Sequence, residues 1–220
     1  MNKLIIDFDS TLVEIETLDR LAEEALKGNR QKARIISEIK RLTSLGMDGT
    51  LPFSESLNRR IGLIETDRKT VEKVAKTVAR AVSGSVLDNL DFFQKNQDDI
   101  FVISGGFEEL IFPVTDLLGI KRKNVLANRF VFDHAGGLVG ADKDNLMAGD
   151  CGKIKQVRAL GLEGNVIMVG DGWTDYQVRE SGAADIFIAY TENVRRENVV
   201  QKADLVTGDF AEVIRYFNNP

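Results

Sequence analysis

The residues whose types and spacing could carry chemistry begin at Asp7-Phe8-Asp9-Ser10-Thr11-Leu12, directly after the apolar run Leu4-Ile5-Ile6. Three β-favouring apolar residues followed by an abrupt polar break predict a buried strand that ends where polar groups begin. Two carboxylates at i and i+2 leave a strand on the same face. Held close, they repel, and one is pushed toward its protonated form. A divalent cation removes that conflict, because hard oxygen ligands are what Mg²⁺ prefers. Ser104-Gly105-Gly106-Phe107 offers a hydroxyl and unencumbered backbone N–H groups, which suit a phosphate at a helix N-terminus. Gly170-Asp171-Gly172-Trp173-Thr174-Asp175 adds two more carboxylates, and Lys153 adds one ammonium. Each piece has a plain alternative: a solvated strand end, a tight turn, a surface lysine. Their combination in this order, at one edge of a sheet, is far less expected by chance.

A charge count points to a metal without further assumptions. Asp7, Asp9, Asp171 and Asp175 set four acids against Lys153 before any anionic substrate enters. At about 4 Å, repulsion between unit charges is roughly 4 kcal/mol at an effective dielectric near 20. Other chemistries are excluded by composition. The only histidine, His134, lies in the turn sequence Asp133 to Gly137, and the only cysteine is Cys151, so neither a Ser-His-Asp device nor a zinc site is expected. Gly149-Asp150-Cys151-Gly152-Lys153 has the wrong glycine spacing for a phosphate-binding P-loop, and Ile154 stands where Ser or Thr is required.

These groups must be positioned by a chain of 220 residues, 43% hydrophobic and 29% charged, which is ordinary for a globular protein with a real core. A net charge of −5 argues against a nucleic-acid partner. The apolar run after Lys3 is broken by Asp7, and no later stretch approaches the length of a membrane helix, so no leader and no membrane partner are expected. With one cysteine there is no internal disulfide, and a cytoplasmic location is the expectation.

Residues from about Ile15 to Val82 read as almost wholly helical, with apolar positions such as Ile35, Ile36, Ile39 and Leu42 at helical spacing. Gly46 to Pro52 breaks that pattern, Pro52 suits the first turn of a helix running to about Leu63, and Thr66 or Asp67 opens another that closes near Gly84. From Ser85 helices and strands alternate. A helix carries Val86, Leu87, Leu90 and Phe93, and a strand Ile100–Ile103 ends at the Ser-Gly-Gly turn. Pro113 should kink or split the helix that follows. A hairpin pairs Phe130–Phe132 with Leu138–Val139, and strands follow at Val166–Val169, Ile186–Ile188 and Leu205–Val206. The expected fold is α/β, a doubly wound, mostly parallel Rossmann-like sheet formed by residues 1–14 and 83–220, with a helical cap at 15–82. In such a sheet ligands bind beyond the carboxyl ends of the strands.

The ordered set Asp-Phe-Asp-Ser-Thr-Leu, Ser-Gly-Gly-Phe, Lys153 and Gly-Asp-Gly-Trp-Thr-Asp resembles the haloacid dehalogenase-like phosphohydrolases, and within them the phosphoserine phosphatase branch. That resemblance covers nearly the whole chain. It implies Asp7 as a nucleophile that becomes an aspartyl-phosphate and Asp9 as general acid and base. It implies Mg²⁺ held by Asp7, the backbone carbonyl of Asp9, and Asp171, with Asp175 orienting Lys153 or a metal-bound water. Ser104, Gly105 and Lys153 would hold the phosphoryl oxygens. Glu16, Met47, Phe53 and Arg60 fall where the branch places substrate-recognition residues. Thr174 departs from the asparagine of many members. The resemblance implies hydrolysis of a small phosphomonoester, L-phosphoserine to L-serine in serine biosynthesis, by a monomer or homodimer. A phosphotransferase, or a phosphatase acting on another small phosphomonoester, is the alternative.

Overall fold

The computed structural model describes residues 2–219. Its centre is the strand β1 (Asn2–Ile6), whose Leu4, Ile5 and Ile6 are fully buried. Four helices follow: α1 (Thr17–Ala25), α2 (Lys32–Met47), α3 (Phe53–Gly62) and α4 (Arg68–Val78). Two short helices, α5 (Gly84–Leu87) and α6 (Leu90–Lys95), lead into β2 (Ile100–Phe107), α7 (Glu108–Leu117) and β3 (Val125–Asn128). A hairpin of β4 (Phe130–Phe132) and β5 (Leu138–Ala141) precedes α8 (Gly152–Leu160) and β6 (Asn165–Gly170). The chain closes with α9 (Trp173–Glu180), β7 (Ile186–Tyr190), α10 (Glu197–Val200), β8 (Leu205–Thr207) and α11 (Phe210–Asn218).

Six strands form one sheet in the order β3-β2-β1-β6-β7-β8, every pairing parallel, and the hairpin stands apart as a second, two-stranded sheet. Helices cover both faces, which explains why the strands are apolar runs rather than alternating patterns. Leu4, Ile6, Val102 and Val169 point into one core, shared with Ile39, Leu57 and Val74 of the inserted helices. Ile5, Ile103 and Met168 point into the other, closed by α8 and α9. The strand order reverses between β1 and β6, the crevice where open α/β sheets place their ligands.

The chain leaves the sheet through residues 12–14 and returns through 81–83, and these two segments are bound to each other. Glu14 N–H donates to the Ala81 carbonyl at 2.8 Å, Ser83 N–H to the Leu12 carbonyl at 3.0 Å, and Asn193 Nδ2 donates to the Ser83 hydroxyl at 2.7 Å. This pairing is why α4 stops at Val78 rather than continuing toward Gly84: the returning chain must be extended to lie beside the outgoing one. Asp67 caps α4 through Thr70 N–H.

Two other expectations are corrected. The helix expected over Val86–Phe93 is split, because the Asn89 side chain bonds the Ser85 carbonyl and ends α5. Pro113 does not split α7. Leu110, Ile111, Val114 and Leu118 are all fully buried on either side of it, and that packing outweighs one missing N–H donor.

Candidate active site

The C-terminal ends of β1, β2 and β6 converge. Register fixes their level: Ile6 stands opposite Val102 on one side and Val169 on the other, and Asp7 N–H donates to the Val169 carbonyl at 2.9 Å. Asp7 is thus held by main-chain bonding at the point where β1 stops. The strand does not continue through Asp9, as the i, i+2 argument assumed. Phe8–Leu12 is a tight turn in which Ser10 adopts φ 55°, so Asp9 leaves on the wall of a loop rather than on a strand face.

The four acids are buried, between 0% and 8% exposed, and so is Lys153 at 6%. Lys153 Nζ lies 2.7 Å from Asp7 Oδ1 and 2.5 Å from Asp175 Oδ1. Burial works to lower the Lys153 ammonium, but the carboxylates of Asp175 and Asp7 overrule it and hold its pKa above the ordinary value. Asp175 accepts from Gly172 N–H at 3.0 Å with its other oxygen. Gly170 makes this possible: any Cβ there would stand 2.3 Å from the Asp175 carboxylate. Burial, and then the Asp7 charge, push Asp175 up to about 7 against the pull of Lys153.

Asp9 accepts from the Thr17 hydroxyl at 3.0 Å through Oδ2, whereas its Oδ1 is buried without a partner. Its pKa is raised well above the carboxylate range, by burial first and then by the charges of Glu16 and Asp7. A carboxyl that keeps its proton beside an ionised neighbour is what a general acid requires.

Oxygen atoms of Asp7, Asp171 and Asp175 lie within 4.8 Å of one another. The set is all carboxylate, with no imidazole or thiolate, and it is buried; the residues present therefore fit a small hard divalent cation such as Mg²⁺. The Asp9 carboxylate is outside this set.

Ser104 and Gly105 belong to β2 itself. The Ser-Gly-Gly segment is a bulge within β2 rather than a turn that ends it: Ile103 pairs with Leu126 and Phe107 with Asn128 of β3, with a register shift between them. The Ser104 hydroxyl accepts from Gly106 N–H at 3.0 Å.

One cavity, with about 30 Å³ free, brings the remaining expected residues to the same place. Its floor is Asp7, Asp9, Ser104, Gly105 and Lys153, and its roof is Glu16, Met47, Phe53 and Arg60, with Thr174 at the side. The Phe53 ring lies directly on Gly105. Arg60 is 8% exposed, and its two hydrogen bonds go to the Ser56 carbonyl at 3.4 Å and the Thr43 hydroxyl at 3.2 Å, neither of them a carboxylate. Glu16 accepts from the Ser10 hydroxyl at 2.8 Å, and burial raises its pKa.

One neighbour was not anticipated. Arg196 Nε lies 3.0 Å from Asp171 Oδ2, and its Nη2 lies 3.6 Å from Glu16 Oε1. In sequence nothing separates it from Arg195, which is half exposed and pairs with Glu197.

His134 and Cys151 are both exposed, outside this cluster. Among the described residues no helix is long and apolar enough to cross a membrane.

Comparison with known proteins agrees with this geometry. Residues 4–180 match the family model of haloacid dehalogenase-like hydrolases. A chloroplastic phosphoserine phosphatase of Arabidopsis thaliana is 33% identical over 211 residues, which is 94% of this chain and 69% of that protein. The solved structure of a phosphoserine phosphohydrolase-like protein from Francisella tularensis superposes with a TM-score of 0.88 at 29% identity, covering 98% of this chain and 99% of that one. A phospho-aspartyl intermediate analogue of phosphoserine phosphatase superposes at 0.77 with 26% identity, covering 98% of each chain. The chain belongs to the haloacid dehalogenase-like hydrolases, in their phosphoserine phosphatase branch.

Proposed function

We propose that this phosphoric monoester hydrolase converts L-phosphoserine to L-serine and phosphate through an aspartyl-phosphate on Asp7. The observation that carries the substrate reading is Arg60: a buried guanidinium, hydrogen-bonded only to neutral oxygens, facing the same small cavity as Asp7. A planar fork of donors in that setting suits the carboxylate of an amino acid. Glu16 on the same roof supplies the opposite charge for its ammonium group.

Asp7 attacks phosphorus as the bond to the serine oxygen breaks, and Asp9 donates its proton to that leaving oxygen. Water then attacks the acyl phosphate, Asp9 takes up a proton from it, and Asp7 is regenerated with release of phosphate. Lys153 stays charged between Asp7 and Asp175 and, with Ser104 and the Gly105 amide, holds the phosphoryl oxygens. Asp7, Asp171 and the backbone carbonyl of Asp9 would hold Mg²⁺, which when bound supplies positive charge against the phosphoryl group. Asp175, with both oxygens engaged, orients Lys153. Residues 15–82 act as a cap whose Met47 and Phe53 exclude water from the site. The neighbour described as a phospho-aspartyl intermediate analogue supports the covalent step.

The test is phosphate release from a panel of phosphomonoesters with and without Mg²⁺. Phosphoserine should exceed sugar phosphates by at least tenfold, Asp7→Asn should abolish release, and added alcohols should yield no phosphorylated product. Equal rates across the panel would remove the substrate assignment, and a phosphorylated acceptor would make the protein a phosphotransferase.

A further inference from the structure

We propose that Trp173 is the seat of the α2–α3 loop, and that through this loop it sets the size of alcohol the site accepts. This rests on the reading of residues 15–82 as a cap over the phosphoryl site.

Three consecutive residues, the last of α2 and the first two of the loop, each rest on a different core residue. Met47 Sδ lies against Gly172, close enough that a Cβ there would be 3.2 Å away. The Asp48 carbonyl accepts from Asn198 Nδ2 at 3.1 Å. Gly49 lies on the indole itself: a Cβ at this position would stand 2.5 Å from Trp173 Cδ1 and 2.6 Å from Cγ. Gly49 also has φ +76°, so both its conformation and its space exclude a side chain. Trp173 follows Asp171 by two residues and opens α9. The same short motif therefore carries a proposed metal ligand and the support of the loop above it.

The opposite side of the inserted helices is held differently. Leu138 N–H donates to the Thr66 carbonyl at 2.9 Å and Arg68 N–H to the Gly136 carbonyl at 3.0 Å, so main-chain bonds tie α4 to the hairpin. Arg68 also stacks over Phe132 at 4.2 Å. The loop side is held by side-chain and van der Waals contact alone, so it is the side that can yield.

Its position decides how much room an alcohol has. Beneath it is the site cavity, with about 30 Å³ free. Beyond Phe53 is an apolar cavity of about 150 Å³ walled by Leu51, Pro52, Ile154 and Trp173. Gly46, Phe53, Gly105, Lys153 and Thr174 line both. With the loop seated, the two are partitioned and only a small alcohol fits; with the loop lifted, they join. Trp173 is in this sense a positioning residue, acting through Met47 and Phe53.

The experiment compares L-phosphoserine with O-phospho-L-tyrosine, which keeps the amino acid head group and enlarges the alcohol. Trp173→Ala should lower the kcat/KM ratio in favour of phosphoserine at least tenfold, with the loss for phosphoserine mainly in KM, and Trp173→Phe should restore it to within threefold. Gly49→Ala, which pushes the loop off the same seat, should also lower the ratio, and its effect should shrink in the Trp173→Ala background. Trp173 is the only tryptophan, so its emission in Asp7→Asn protein should shift when phosphoserine is added, and less so with Gly49→Ala. Equal losses for both esters in Trp173→Ala and Gly49→Ala, or additive effects in the double variant, would overturn the proposal. Failure of the phosphoserine reading would show separately, as no turnover of phosphoserine by the unaltered protein while aryl phosphates are still hydrolysed. The size ratio is then read between phenyl phosphate and 4-methylumbelliferyl phosphate.

Discussion

Arg196 places its Nε 3.0 Å from Asp171 Oδ2, so the carboxylate that would serve as a metal ligand already has a cationic partner from the β7–α10 segment. Burial, and then the Glu16 charge, push Asp171 well above the carboxylate range, with Arg196 pulling against them. A guanidinium and a divalent cation both favour the ionised form, and each weakens the other's hold by mutual repulsion. Arg196→Gln should therefore lower the melting temperature of the metal-free protein and enlarge the gain in melting temperature on adding Mg²⁺. The Mg²⁺ concentration for half-maximal activity should fall at least threefold, since even a small screened fraction of the repulsion between a unit charge and a divalent cation at about 5 Å, on the order of 7 kcal/mol at an effective dielectric near 20, is worth that much. An unchanged Mg²⁺ titration would mean that Arg196 serves Glu16 alone.

Arg60 gives a sharper test of substrate. Arg60→Ala should reduce kcat/KM for phosphoserine by roughly 10²-fold, the scale of a lost charge-assisted pair. Turnover of p-nitrophenyl phosphate, which has no carboxylate to grip, should change by less than threefold. Arg60→Lys should recover only part of the loss, because a lysine offers no planar fork. Comparable losses on both substrates would assign Arg60 to holding α2 against α3 through Thr43.

Asp9 separates the two half-reactions. The serine alkoxide needs a proton to leave, whereas p-nitrophenolate does not. In Asp9→Asn, phosphoserine should be turned over at less than 1% of the normal rate, while p-nitrophenyl phosphate should give a burst of nitrophenol close to one equivalent per enzyme and then stall. The burst reports a phosphorylated Asp7 waiting for a base. Absence of a burst together with slow linear release would leave Asp9 without the second role.

The part of the site that could be read in the sequence is the part that ends strands. An apolar run followed by Asp7, and another followed by Asp171, mark buried strands broken by carboxylates, and parallel pairing then puts both at one edge. What sequence could not supply was the path of the chain between them. The i, i+2 spacing puts Asp9 on a strand face, but β1 ends at Ile6 and the chain already coils at Phe8, before Asp9 is reached. The Ser-Gly-Gly segment reads as a turn by composition, yet long-range pairing of Phe107 with Asn128 keeps it inside β2 as a bulge. Arg196 and Trp173 carry no sequence signal for the same reason: nothing local distinguishes Arg196 from Arg195, and the partners of both residues lie on segments distant in the chain. The helical character of residues 17–78 is legible from period alone, but the end of α4 at Val78 is set by the antiparallel pairing of Val13 with Val82.

The acidic cluster also predicts how pH and metal act on stability together. Asp175 is raised to about 7 from an ordinary value of 3.8, by burial and by Asp7, and Asp9 and Asp171 are raised as well. For an acid raised on folding, the folded state binds more protons than the unfolded one between the two pKa values. Stability is therefore greatest below the unfolded pKa and is lost as pH rises through the folded one. For Asp175 that window runs from about 4 to about 7. A divalent cation binds only the ionised carboxylates, so it offsets the loss where the loss occurs. The rise in melting temperature on adding Mg²⁺ should thus be small at pH 5 and several degrees larger at pH 8. Other titrating groups cancel in the difference between melts with Mg²⁺ and with chelator at the same pH. Asp175→Asn should flatten that difference, since one of the protons to be displaced is gone. An Mg²⁺ gain that is equal at both pH values would mean that the carboxylates around Asp7 are ionised throughout this range, and that Lys153 and Arg196 alone balance their charge.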